Sequence, residues 1–171
     1  MNVTPEMKEH FDRRMKRHIE LVNHFAKKLA LTFPNHDSDK FLPEVIDIQT
    51  KFSWSKFIRV SLTYEETKES DEATKRHICE QQHHPEYWVD DKSVLDRFTR
   101  HNPINNLDCS KMSTIAIYEM CCDWCAMAKE FHNHPKVWAD KTVNKRWLFT
   151  EEQTMLIYDT LDFLSVSEDF S

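Results

Sequence analysis

The sequence predicts an all-α fold, a single-domain helical bundle of about six to seven helices. Three observations carry this. The chain contains no glycine, and the type I′ and II′ turns of tight hairpins favour glycine. Apolar residues recur at three- and four-residue intervals over long stretches, which is the helical period. At 171 residues, with 40% hydrophobic and 12% aromatic content, the chain fits one domain with a full hydrophobic core.

The elements follow in order. From Lys8 to Leu31, the residues Phe11, Met15, Ile19, Val22, Phe25 and Leu29 form one apolar stripe, with His18 on its edge. Pro34 and Asn35 end that helix, and Pro43 marks the start of another near residue 43. His36-Asp37 therefore falls at a junction. Tyr64 to His84 is rich in Glu, Lys and Arg, a helix that Pro85 should stop. A loop follows with Asn102-Pro103 and Asn105-Asn106. Met112 to Phe131 is the most apolar stretch and reads as the central helix, with two more helices over 136–147 and 150–164. The sequence has no internal repeat and no domain linker.

Composition narrows the function. Lys plus Arg is 23 against 29 Asp plus Glu, a formal charge of −6, which gives no basic field for a long nucleic acid. No apolar run approaches the roughly 20 residues of a membrane span, and the polar start MNVTPEMKEHFDRR lacks a signal peptide's apolar core. A small-molecule ligand and a cytoplasmic location are expected, with no membrane partner; self-association stays open. Without glycine, neither a Walker loop nor GxGxxG is present. Five cysteines, three of them at Cys121, Cys122 and Cys125, read as reduced thiols packed in a core, because Cys122-x-x-Cys125 has no second CxxC.

The chemistry lies in histidines and carboxylates: His18, His36-Asp37, His77, His83-His84 and Asp123. Imidazole and carboxylate are the ligands borderline divalent metals take. Neighbouring helical positions differ by about 100°, so His36 and Asp37 hold one ion only where the backbone curves, as a junction allows. Lys40, three residues on, offers a cation for a phosphate oxygen. His77, Gln81 and His84 share a face if the helix continues; His77 and His84 would then stand about 10 Å apart along the axis, too far for one ion unless the helix unwinds before Pro85. Glu119 and Asp123 sit i, i+4 in an apolar segment, and a buried carboxylate needs a partner or a metal. His10, His24 and His101 read as exposed, and His132 and His134 as a helix-end pair without a metal.

The order His, His-Asp, His, His-His, Asp resembles the HD-domain superfamily of helical metal-dependent phosphohydrolases. HIELVNHF, HDSDKF, HxxxQxHHPEYW and CDW are similar to the motifs of an uncharacterised family of small phage and bacterial proteins, which has Asn where this chain has Gln81. The similarity spans about residues 18 to 131. HD followed by Lys, then His-His-x-Glu, also resembles the HD branch that cleaves cyclic dinucleotides, although the glycine-rich tail of that branch is missing. The resemblance implies an HD-domain-like bundle with metal ligation by His36, Asp37 and Asp123 and with His18 as a fourth ligand. It assigns His77, His83 and His84 to a second metal or to the substrate pocket.

One or two divalent ions (Mn, Zn, Fe or Mg) would activate a water for attack on a nucleotide-like phosphoester. Lys40 and Arg76 would steady phosphate charge, and His83 or Glu119 would relay protons. Trp88 or Tyr87 would stack on a base or pack in the core. Two other readings stand beside this one. One is an HD-type di-iron oxygenase; the other is a non-enzymatic, metal-stabilised helical binding protein, phage-encoded, acting in the host cytoplasm on a host factor.

Overall fold

The computed structural model describes residues 1–95 and 106–171. Among these, six α-helices account for the architecture: α1 (Pro5–Lys28), α2 (Ile46–Ile58), α3 (Tyr64–Glu80), α4 (Thr114–Glu130), α5 (Pro135–Thr142) and α6 (Glu151–Ser165). The chain is all-α apart from one small sheet. Local chemistry fixes most helix starts. Thr4 accepts a hydrogen bond from the Met7 N–H and Pro5 takes the first helical position, where its fixed φ suits the helix. Thr63 with Glu66, and Thr150 with Gln153, form capping boxes at α3 and α6, each satisfying two otherwise orphaned N–H groups.

α4 is the central helix, packed between α1 and α6. Its Met120, Cys121, Cys122, Cys125 and Ala126 are buried with Val22 and Phe25 of α1 and with Ile157, Leu161 and Leu164 of α6. All five cysteines are free thiols, and Cys109, Cys121, Cys122 and Cys125 are buried. Among the described residues no helix is long and apolar enough to cross a membrane.

Several boundaries differ from expectation. α2 begins at Ile46 rather than near Pro43, after a turn over 42–45. The helix expected over 136–147 stops at Thr142; the chain then turns, and Trp147–Leu148 pairs in parallel with Leu107–Asp108. Strands of two residues show no alternation, so the sequence carries no sign of them. α3 ends at Glu80, short of Pro85, because Gln81 is already extended. On α1, His18 is buried while Ile19 is half-buried, so the histidine lies in the stripe rather than on its edge. His10 is half-buried against Trp54 and Phe57. The loop expected at Asn102-Pro103 and Asn105, and the exposure expected for His101, lie outside the described residues.

The lack of glycine is felt at the helix ends. Ala30, Arg59, His132, Asn144 and Ser167 adopt positive φ just past α1, α2, α4, α5 and α6. The Leu31, Val60 and Asn133 N–H groups reach back to the carbonyls of Ala26, Ser55 and Ala128 at 2.9, 3.0 and 2.9 Å. This is the left-handed closure in which glycine is usual.

Candidate metal centre

Five segments deliver the histidines and aspartates to one point. α1 gives His18. The α1–α2 connection gives His36 and Asp37, and the end of α3 gives His77. The turn after α3 supplies His83 and His84, and α4 supplies Asp123. Asp37 adopts the left-handed conformation (φ 59°, ψ 15°) at the head of a 3-10 turn, Ser38–Phe41. That curvature turns two adjacent side chains toward the same centre, as the His-Asp pair required.

Unwinding after Glu80 does the same for the later histidines. Gln81 and His84 have extended backbone, and His84 Nε2 comes within 2.9 Å of His77 Nε2. The separation of a continuous helix therefore does not apply, and Gln81 is not part of a shared helical face.

Each of four imidazoles turns one nitrogen inward and the other toward a carboxylate. The inward Nε2 atoms surround Asp37 and Asp123. His18 Nε2 lies 3.1 Å from Asp123 Oδ1 and 3.6 Å from Asp37 Oδ2. His36 Nε2 is 3.8 Å from an oxygen of each. His77 and His83 Nε2 stand 3.2 and 3.7 Å from Asp37 Oδ1. Outward, His18 Nδ1 meets Glu130 at 2.8 Å, His36 Nδ1 meets Glu119 at 2.9 Å and His77 Nδ1 meets Asp39 at 2.8 Å. His83 Nδ1 lies 3.5 Å from the same Glu119 oxygen. In a neutral ring, a carboxylate on Nδ1 favours the proton there and leaves Nε2 as a lone pair, the arrangement seen behind metal-bound histidines. Glu119 thus contacts two imidazoles from behind.

The donor atoms fit a divalent ion. His36 Nε2, His83 Nε2 and Asp37 Oδ1 are buried without a hydrogen-bond partner, and each such atom costs about 1–3 kcal/mol if left unsatisfied. Ligand-type atoms converge in overlapping sets: His18, His36 and Asp37; His36, His83 and Asp123; His77, His83 and His84; and Asp37, Asp39 and His77. Because the sets share members, the cluster has donors for one ion or two. His83 is a member of two of these sets.

The electrostatics agree. Burial opposes ionisation of Asp37, yet Lys40, the His77 contact and His36 hold its carboxyl well below the usual carboxylate range. Burial would also raise Asp123, and His18 outweighs it, so Asp123 stays ionised. His18 itself is desolvated, but Asp123 and Glu130 carry its imidazolium up to about 9. Burial, with neighbouring His83 and His77, pushes His84 well below its ordinary value. Two aspartates stay anionic, as ligands must.

A cleft of about 190 Å³ opens onto the cluster. His18, Asp37, His77, His84 and Asp123 form its floor, and Arg14 and Lys40 stand in its wall. Lys40 Nζ is 2.6 Å from Asp37 Oδ2. Arg14 sits four residues before His18 and so on the same helical face, a spacing that the sequence itself displays. Glu130, seven residues after Asp123, was signalled in the same way. Arg76 does not reach the centre: its guanidinium is on the surface, paired with Glu44 and Glu80 at 3.2 Å each. Trp88 donates to the Gln82 carbonyl and Tyr87 lies under Lys92; neither lines this cleft. His132 and His134 are exposed and belong to none of the donor sets.

Residues 7–165 match the model of a family of unknown function, DUF5662. The chain belongs to the DUF5662 family. Neither a curated protein nor a solved structure matches it. Within this DUF5662 member, any function must therefore be argued from the residues of the cleft.

Proposed function

We propose that the protein is a divalent-metal-dependent phosphohydrolase of HD-domain type, acting on a nucleotide-like phosphoester. One observation carries the reading: inward Nε2 atoms, each backed by an outer carboxylate, meet two ionised aspartates at the floor of an open cleft. His18, His36, Asp37 and Asp123 would hold one ion, and His77, His83 and His84 a second. A bound divalent ion lowers the pKa of its water toward neutrality and draws charge from a phosphoryl oxygen.

The chain's own residues supply the rest. Lys40 and Arg14 stand where a phosphate entering the cleft meets positive charge. Glu119, Glu130 and Asp39 fix the tautomers of the imidazoles they hold. His84, kept neutral by burial and lining the cleft, offers a ring nitrogen as a ligand, since a metal takes the uncharged imidazole.

A di-iron oxygenase is favoured by one feature, the excess of imidazole over carboxylate among the donors. Elemental analysis of untagged protein purified without chelator separates the readings. Near-stoichiometric manganese, zinc or magnesium, lost in His36→Ala and Asp37→Ala, supports the phosphohydrolase and directs hydrolysis assays. Iron with an absorbing centre redirects them to oxygen chemistry. A folded wild type that takes up no metal overturns both and leaves a helical binding protein.

A further inference from the structure

A second pocket of about 390 Å³ lies behind the metal centre, against α4 and α5. Asp123, Met127 and His84 border both this pocket and the metal cleft, so the two share one wall. The second pocket is aromatic. Trp124 and Trp147 stack at 6.0 Å with 21° between their planes, and Trp138 meets Trp147 edge-on at 6.2 Å. Phe131 and Trp138 are exposed, at 63% and 46%, so two flat faces stand open to solvent. With Trp124 and Trp147 they put four aromatic side chains around one pocket, a cluster rather than single scattered apolar residues.

The same pocket carries unmet polar demand. Glu86 and Trp147, 3% and 5% exposed, both line it. Glu86 binds Arg146 through Oε1 at 3.0 Å, while its Oε2 and the Trp147 Nε1 have no hydrogen-bond partner. A buried carboxylate oxygen asks for an N–H donor, and a buried indole N–H asks for an acceptor. A nucleobase offers π-faces for stacking and an edge that bears both donor and acceptor. An aliphatic chain would leave both atoms unsatisfied.

We infer that this pocket is a nucleobase subsite, with Trp138 and Phe131 as stacking faces and Glu86 and Trp147 reading the base edge, of a site whose phosphate end is the metal cleft. Only the phosphate end rests on the phosphohydrolase reading; the base end stands on the pocket itself.

Guanosine separates the two, because it has a base edge of both kinds and no phosphate. Equilibrium dialysis with tritiated guanosine should show saturable binding to chelated and manganese-loaded protein alike. Trp138→Ala and Phe131→Ala, both at exposed positions, should weaken it about tenfold or more, within the range for loss of one base–aromatic stack, while melting temperatures stay unchanged. Glu86→Gln should weaken guanosine more than it weakens purine riboside, which lacks the N–H donors. No saturable guanosine binding, or binding that neither aromatic variant alters, overturns the subsite. Guanosine binding without any manganese-dependent gain for guanosine 5′-monophosphate would instead retain the subsite and count against the phosphohydrolase.

Discussion

His77 and His84 are seven residues apart, yet their Nε2 atoms approach to 2.9 Å because the helix between them gives way at Gln81. At that distance one N–H···N hydrogen bond or one shared cation can join the two rings, and burial keeps His84 uncharged. A cation held by both would tie the end of α3 to the turn that follows it. Metal removal should therefore lower the melting temperature. At metal concentrations near a hundred times Kd the stabilisation is about 2.7 kcal/mol, or roughly 5–10 °C for a domain of this size. Thermal melts with and without chelator test this, and Asp37→Asn should abolish the difference.

Glu119 supports two imidazoles from behind, through His36 Nδ1 and His83 Nδ1. Glu119→Gln should keep the fold, because the side chain is 19% exposed, and should weaken metal binding about 10–100-fold. Competition with a chromogenic chelator measures it. Unchanged affinity would mean that the carboxylate does not orient the ligands.

Lys40 competes with any cation for Asp37. Lys40→Met should destabilise the metal-free protein, since it leaves a buried carboxylate without its counter-charge. The same change should enlarge the melting-temperature gain on adding manganese. Arg76→Ala, on the exposed surface, should leave both the melting temperature and the metal affinity unchanged.

His18 predicts a pH dependence in the chelated protein. Burial lowers its imidazolium, but Asp123 and Glu130 raise it to about 9 from 6.5. A raised folded pKa gives stability that is fully present below pH 6.5 and lost as the pH climbs through about 9. The melting-temperature gap between wild type and His18→Gln should be widest at pH 6 and close by pH 9.5. His83 and His84, whose values are lowered by burial, slope the other way, but they are common to both proteins and cancel in the difference. A gap independent of pH would show that His18 is not charged in the metal-free state.

The thiols give a check on the core. Burial pushes Cys122 up to about 12 and Cys121 and Cys125 well above an ordinary thiol, so these should resist alkylation by iodoacetamide until the protein unfolds. Mass spectrometry of native and denatured samples reads this directly.

Much of this was legible in the chain. The stripe from Phe11 to Leu29 and the apolar run from Met112 to Phe131 locate the two helices that carry His18 and Asp123, because helical periodicity is a local property. His36-Asp37 before Pro43 marks a junction for the same reason. The break at Gln81 was not legible. Nothing between Glu80 and Pro85 stops a helix by itself, and the unwinding shows only where tertiary contacts hold His83 and His84 against Asp37 and Glu119. Asp39 and Glu130 were passed over because an outer carboxylate announces itself only through the histidine it touches.

Left-handed backbone at residues other than glycine disfavours the folded state by about 1–2 kcal/mol apiece. The helix ends at Ala30 and Arg59 are therefore places where a single glycine should make the molecule more heat-resistant. Asp37 shares that conformation but not that freedom. A glycine there would relax the backbone and remove the carboxylate at the heart of the cluster, setting robustness directly against activity at one position.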